Sequence, residues 1–293
     1  MLIVCSLEAG AFEVIYLAPS ADTALLEAFP THNFGGQTYF NAGTTQTYTK
    51  NHALLRFDIP GQLPPHAKII SAALTLDVQH TPSDGDSPST FELHRMLRDW
   101  GEGTKTGSPP SLGAEATLNE ANWFYRFAET TNTWGVPGGQ PEVDFSSDSS
   151  SEQFVYGSLF SPYTFESNPE IVADVQGWLG QPTNNFGWML LTQDESLNFS
   201  ARRFASRESG YGAPVLAVEY FVPAITGIVV VAEKVQIKFF MEAGQAYTVE
   251  SSASMLQGTW TVLTNLPAGT DPADGVVEDA VQASRRFYRL LIH

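Results

Sequence analysis

Turn residues interrupt this sequence about every 8 to 15 positions, which limits the fold to short elements. The 24 Gly and 18 Pro separate runs rich in Val, Ile, Thr, Phe and Tyr, the residue types that favour strands. Many short strands at this spacing are typical of an all-β sandwich. Because 43% of the 293 residues are hydrophobic, the chain can bury a full core.

Six runs in the first three quarters of the chain are predicted to be strands. In one of them Leu74, Leu76 and Val78 alternate with polar residues, as expected for a strand with one buried face. The runs are ALLRFDIP (53–60), KIISAALTLDVQH (68–80), TFELHRML (90–97), FGWMLLTQ (186–193), RRFASRE (202–208) and APVLAVEYF (213–221).

One short helix is predicted after SNPE. Asn168 suits the N-cap and Pro169 the first helical position, while Gly180 and Pro182 end the segment.

A contrasting segment is DFSSDSSSEQ, residues 144–153, which lies in a long stretch without Lys or Arg. Its polar composition predicts a solvated loop.

Charge argues against several classes of partner. Lys and Arg total 15 against 32 Asp and Glu, a formal net charge of −17. Nucleic acid and anionic membrane surfaces require basic patches, so neither is expected as a partner. No later segment reaches the roughly 18 uninterrupted apolar residues of a membrane span.

The N-terminal segment, residues 1–15, has two interpretations. MLIVCSLEAGA ends on the small-x-small pattern of a signal-peptide cleavage site, but no Lys or Arg precedes its apolar run. It therefore fits either the remnant of a signal peptide or a first β-strand. The single cysteine, Cys5, excludes an intramolecular disulfide and does not indicate a compartment.

A shift in composition predicts a second, smaller β-domain at residues 224–293. This segment has five basic and seven acidic residues, a charge of −2, which leaves −15 for the first 223 residues. Its runs GIVVVAE, VQIKFFM, YTVESS, TWTVLT and RRFYRLLIH read as antiparallel strands.

Catalytic motifs are not evident, and we predict that the chain is not an enzyme. It has no GxSxG elbow, HExxH pair, P-loop or GxGxxG after a strand. His94 shares a strand face with Glu92, but we expect it to point to solvent. Asp99 and Glu102 are the nearest pair of acids for a polysaccharide-cleaving enzyme, which remains an alternative, and turn formation explains them equally well.

Aromatic residues near turns offer a surface for sugars, because apolar C–H faces of a sugar ring stack on the negative face of an aromatic ring. The alternative is that most of them fill the ends of the sandwich. The candidates are Trp100, Trp123, Tyr125, Trp134, Tyr156, Tyr163 and Tyr211.

Six stretches over roughly residues 16–222 resemble, in order, those of the DNRLRE-domain family, also classed as carbohydrate-binding module family 96. RFASRE occupies the place of the family's hexapeptide, which is not literally present. The stretches are LAPSADTALLEAFPTHNFGGQTYFNAG, NHALLRFDIPGQLPPHAKIISAALTLDV, LHRMLRDWGEG, TWGVPGGQPEVDF, VADVQGWLGQPTNNFGWMLLTQDES and RRFASRESGYGAPVLAVEYF.

This resemblance implies a β-jelly-roll module of secreted or cell-surface bacterial proteins that binds polysaccharide without cleaving it, with acidic alginate as one ligand. The segment 224–293 resembles small C-terminal β-domains of secreted proteins from Verrucomicrobia-like bacteria. No catalytic domain accompanies the module here. Its charge of −15 also opposes an acidic glycan, so such a ligand needs a local basic cluster.

The basic cluster is expected in RRFASRE. Alternation along a strand places Arg203 and Arg207 on one face, and Arg56 and Arg95 join them if their strands lie alongside. We assign these four arginines and the nearby Tyr211 as ligand-binding residues. A scaffold role, in which the arginines pair with acids such as Asp58 or Glu208, is the alternative.

Two further expectations concern assembly and metal. An apolar N-terminal strand can pair with a sheet edge of another copy, so a subunit of an extracellular filament or matrix is the rival function. Calcium is the ion expected if the jelly-roll holds one, although the sequence does not identify its ligands.

Overall fold

A computed structural model describes residues 12–65, 67–83, 85–107, 112–256, 258–271, 273–282 and 285–293. These residues form twenty strands and one α-helix, so the predicted all-β sandwich fold with a single short helix is confirmed. The segment MLIVCSLEAGA (1–11) lies outside the described residues, and the first strand begins directly after it.

Fourteen strands precede residue 222. They are β1 (Phe12–Leu17), β2 (Pro19–Leu26), β3 (His32–Asn33), β4 (Tyr39–Thr44), β5 (Lys50–Phe57), β6 (Lys68–Leu76), β7 (Val78–His80), β8 (Ser89–Met96), β9 (Ala114–Glu115), β10 (Phe145–Val155), β11 (Tyr163–Phe165), β12 (Trp188–Thr192), β13 (Arg202–Ala205) and β14 (Val215–Phe221).

Two sheets contain most of these strands. The larger has the order β10-β8-β12-β5-β4-β13-β7, with β2 also paired to β5, and the smaller has the order β1-β14-β6-β11. At the centre of the larger sheet, Trp188 of β12 lies opposite Leu55 of β5 and Arg95 of β8. Every residue of β12 is buried, and its first four residues, WMLL, are all apolar, as expected for a strand covered on both faces.

Tryptophan side chains from the segment after β8 pack on one face of the larger sheet. Trp100, Trp123 and Trp134 form one cluster with Leu54 and Met189 of the sheet. The indole nitrogens of Trp100 and Trp134 donate to backbone carbonyls, so these large rings are buried without an unpaired donor. The cluster includes Trp100 and so fixes the position of the turn after β8, which also carries Asp99 and Glu102.

The helix α1 spans Pro169–Gly180, as the capping residues predict. The Asn168 side chain accepts hydrogen bonds from the backbone N–H groups of Glu170 and Ile171. Asp174 of the helix is buried, and it accepts hydrogen bonds from Ser150 and from the indole of Trp188.

The acid- and serine-rich segment at 144–153 is not the predicted loop. It forms most of β10, an eleven-residue strand that pairs antiparallel with β8 at the edge of the larger sheet. The prediction was wrong because serine hydroxyls find partners within the fold: Ser150 donates to Asp174 and Ser151 donates to the carbonyl of Glu166.

The described chain divides into two compact units. One comprises Val14–Leu63 with Ser71–Val218, and the other comprises the described residues of Met1–Glu13 with Pro64–Ile70 and Glu219–His293. The sequence-based boundary near residue 223 assigned neither 64–70 nor the N-terminal residues to the second unit.

The C-terminal segment is antiparallel, as predicted, but it forms two three-stranded sheets, with the orders β15-β16-β19 and β18-β17-β20, and β19 was not among the five predicted runs. Ile237, Phe239, Tyr247 and Val249 lie in its own hydrophobic core. The strands are β15 (Ile225–Val231), β16 (Lys234–Met241), β17 (Tyr247–Ser252), β18 (Thr261–Leu266), β19 (Ala273–Ala280) and β20 (Phe287–Ile292).

Candidate functional site

The three arginines of ARRFASRES enter three different environments. Arg202 is fully buried: its guanidinium donates to the carboxylate of Asp86 and to backbone carbonyls that include those of Ser87 and Tyr156. Arg202 therefore holds several loops together. The sequence contained a signal for this role, because Arg202 and Phe204 are two residues apart in a strand and therefore lie on the same, buried face.

Arg203 lies over an aromatic ring. Its guanidinium carbon is 4.0 Å from the centroid of Tyr39, and its Nε is buried with no hydrogen-bond partner among the described residues. A guanidinium over an aromatic face gains a cation–π interaction. No carboxylate of the described residues lies within 4 Å of Arg203.

The predicted strand over 202–208 ends at Ala205, earlier than expected. Beyond it the chain leaves the ladder: the Ser206 hydroxyl donates to the carbonyl of Gln37, and the Arg207 N–H donates to Asp22 Oδ2 at 2.7 Å. Because alternation applies only within a strand, it does not place Arg203 and Arg207 on a common face.

Arg207 is surrounded by Asp22, Glu102 and Glu208, which we name the carboxylate cluster. Its Nε is 2.5 Å from Glu102 Oε1 and 2.9 Å from Glu208 Oε1, and its Nη2 is 3.1 Å from Glu102 Oε2. The backbone N–H of Asp22 also donates to Glu102. This predicted ligand residue is thus already paired with two acids.

Burial perturbs the carboxylate cluster. Asp22 is 1% exposed, and burial, with repulsion from Glu208 and Glu102, raises its pKa to about 8, although the N–H of Arg207 opposes the shift. Burial likewise raises the pKa of Glu102, against the hydrogen bonds from Asp22 and Arg207. Asp22 is therefore protonated over much of the neutral range.

Among the described residues, the carboxylate cluster is a group of acids close enough together to be candidate calcium ligands. The three residues offer oxygen atoms that lie within 4.8 Å of one another, and calcium prefers carboxylate oxygens. Arg207 already supplies a positive charge to these oxygens. Calcium stays a prediction, and thermal melting with and without a chelator tests it.

The remaining predicted residues lie elsewhere. Arg56 Nη1 pairs with Asp99 at 2.6 Å, and its guanidinium lies over Trp100; Arg95 pairs with Asp174 at 2.9 Å. Tyr211 is 80% exposed. Within the described part of the chain, no hydrogen bond, ion pair or ring contact joins two of the five predicted residues. Their common ligand-binding role stays a prediction.

The aromatic candidates separate into core and surface. Trp100, Trp123, Trp134 and Tyr163 are buried, whereas Tyr156 is 53% exposed. Tyr156 contacts Phe154 and Phe160, with ring centroids 4.9 and 5.7 Å apart.

Together Phe154, Tyr156 and Phe160 form an aromatic patch on the surface. Phe154 is 43% and Phe160 64% exposed. Sequence reasoning missed these two phenylalanines, although their position two and four residues from Tyr156 was a signal for a shared surface.

Two buried histidines each bridge a carbonyl and a carboxylate. His94 Nδ1 is 2.9 Å from the carbonyl of Ser146, and its Nε2 is 3.3 Å from Glu92. His52 contacts Glu195 at 2.6 Å in a similar arrangement. The expectation that His94 points to solvent was wrong, because the segment that includes Ser146 covers it.

The raised pKa of Asp22 predicts a pH-dependent effect of Asp22→Asn. The native state keeps the Asp22 proton up to about pH 8, whereas the unfolded chain releases it near 3.8. This contribution to stability is complete below pH 3.8 and lost as the pH rises toward 8. The asparagine has no proton to lose. The free energy of unfolding of Asp22→Asn minus that of wild type should therefore increase by about 1 kcal/mol or more when the pH is raised from 5 to 8.5.

Urea unfolding at several pH values measures this difference. Asp148→Asn, at an exposed position, is the matched control and should show no such trend. A difference between Asp22→Asn and wild type that stays constant with pH would contradict the assignment.

No protein-family model matches the chain, and a search of curated proteins finds no significant match. The resemblance to the DNRLRE-domain family therefore stays a prediction. None of the helices in the described residues has the length and apolar character needed to span a bilayer.

Proposed function

We propose that the chain is a non-catalytic, secreted or cell-surface protein that binds polysaccharide, and that sugar rings stack on the aromatic patch. The observation that supports this most is the exposure of three neighbouring rings, Phe154, Tyr156 and Phe160, in which Tyr156 contacts both phenylalanines. Exposed aromatic rings gain free energy when the apolar face of a sugar covers them.

The backbone beneath the patch is held by buried contacts. The Tyr156 carbonyl accepts a hydrogen bond from Arg202, and the hydroxyl of buried Tyr163 accepts from the N–H groups of Tyr156 and Gly157. A surface held in place before binding loses less conformational entropy when a ligand arrives. This anchoring favours a binding role over an incidental exposure of apolar rings.

Charge favours stacking as the main contact with the ligand. The net charge is −17, and Arg56, Arg95 and Arg207 are each paired with a carboxylate. Among the predicted arginines only Arg203 forms no ion pair with an acid in the described chain, and it lies over Tyr39 instead. A neutral or weakly charged glycan therefore suits the patch better than the alginate-like ligand of the resemblance, which we retain as a test ligand.

Affinity gel electrophoresis with neutral glucans, pectin, alginate and a sulfated galactan tests the proposal. At least one glycan should retard the wild type, and Tyr156→Ala or Phe160→Ala should weaken binding about three- to tenfold, the loss of one stacked ring. Tyr211→Ala changes a more exposed tyrosine outside the patch and should bind normally if the patch is the site.

Two results would count against this proposal. The absence of retardation by every glycan would reject polysaccharide binding. Loss of binding in Tyr211→Ala, with the patch variants unaffected, would move the site to the residues predicted from the sequence.

A second candidate function is a subunit of an extracellular filament or matrix. Among the described residues, strand β1 lies at the edge of the smaller sheet, and Phe12, Val14 and Tyr16 on it are each more than half exposed. An apolar edge strand is a template for pairing with another chain.

We expect concentration-dependent association in sedimentation velocity if this function holds, and Val14→Lys should weaken it. A monomer at all concentrations would exclude it.

A further inference from the structure

Three arginines converge on the turn that follows β8. Arg56 Nη1 is 2.6 Å from Asp99 Oδ1, and Arg126 Nη1 donates to the backbone carbonyl of Asp99 at 2.8 Å. Arg98 is the neighbour of Asp99 in the chain. In a protein with only 15 Lys and Arg residues, this is a local concentration of positive charge.

Arg98 is the least engaged of the three. Its side chain is 45% exposed, and the carboxylate oxygen that approaches it is Asp144 Oδ1, at 4.0 Å from Nη1. That distance is too long for a hydrogen bond. The other oxygen of Asp144 accepts from the N–H groups of Gly135 and Gln140. Arg98 thus forms a long ion pair with buried Asp144 without a hydrogen bond, and the half-exposed remainder of its guanidinium can contact a ligand.

Arg98 precedes Asp99 in the chain, and the guanidinium of Arg126 donates to the Asp99 carbonyl, so both residues lie at the same turn. Burial lowers the pKa of Arg126, and the charge of Arg98 lowers it further, while Asp144 and Asp99 act in the opposite direction. Around the turn, three guanidinium groups face two carboxylates, those of Asp99 and Asp144. An additional negative group placed between the arginines would reduce the repulsion.

We propose that Arg98 and Arg126, with Arg56 beside them, form a binding site for an oxyanion, either a carboxylate or a sulfate group. Guanidinium groups present forked N–H donors that match the two oxygens of such groups. The site goes beyond the proposed function, because it can hold a small anion whether or not a polysaccharide binds the aromatic patch.

Titration with sodium sulfate and with sodium galacturonate tests this site at constant ionic strength, using chloride and neutral galactose as blanks. The readout is the Nε–Hε signals of Arg98 and Arg126 in ¹⁵N spectra, each assigned by its loss in Arg98→Gln or Arg126→Gln, and the Arg126 signal gives the Kd in Arg98→Gln. We expect a saturable shift of the nearby Arg126 signal with Kd of about 1–10 mM, as for one charge-assisted contact pair. Saturation by sulfate alone identifies a sulfate site, and saturation by both ions a general oxyanion site.

Three variants control the experiment. Arg98→Gln should weaken binding at least tenfold; because it also removes the ion-pair partner of buried Asp144, its melting temperature is measured in parallel to show that the variant is folded at the temperature of the titration. Asp99→Asn removes a competing negative charge and should tighten binding. Lys234→Gln removes one positive charge from the other compact unit and should have no effect. The absence of a saturable shift with either ion, or an unchanged Kd in Arg98→Gln, would overturn the proposal.

Discussion

The pairing of Arg207 with the carboxylate cluster is the interaction on which the arrangement of this site depends. Through it β2, the turn after β8 and the chain after β13 are held together, since Asp22, Glu102 and Arg207 belong to these three segments. A partly buried charge is costly unless it is paired. The guanidinium therefore stabilises acids that would otherwise oppose the fold, and burial keeps Asp22 protonated at neutral pH.

Because Arg207 is used in this pairing, its positive charge is not free to bind a ligand. In a chain of net charge −17, most of the arginines near the site stabilise the scaffold: Arg202 binds carbonyls in the interior, and Arg56 and Arg207 bind acids. Among the described residues, the aromatic patch and the half-exposed guanidinium of Arg98 are two of the surfaces that stay exposed. Recognition by stacking, with one local site for an oxyanion, is consistent with that distribution of charge.

The sequence predicted the elements whose causes are local. Alternation and turn spacing indicated the strands, and Asn168, Pro169 and Gly180 indicated the helix. It did not predict β10, because serine-rich chain becomes a strand only where a neighbouring strand and distant hydrogen-bond partners are present. The roles of Arg207 and Arg203 could not be predicted from the sequence either. Their partners, Glu102 for Arg207 and Tyr39 for Arg203, lie more than a hundred residues away in the chain.

A double-mutant cycle between Arg207→Gln and Glu102→Gln tests the scaffold role most directly. The free energy of unfolding of wild type, both single variants and the double variant gives the coupling between the two side chains. A coupling of about 1–3 kcal/mol is expected for a partly buried, doubly hydrogen-bonded pair. A coupling below about 0.5 kcal/mol, the range of independent sites, would contradict the account.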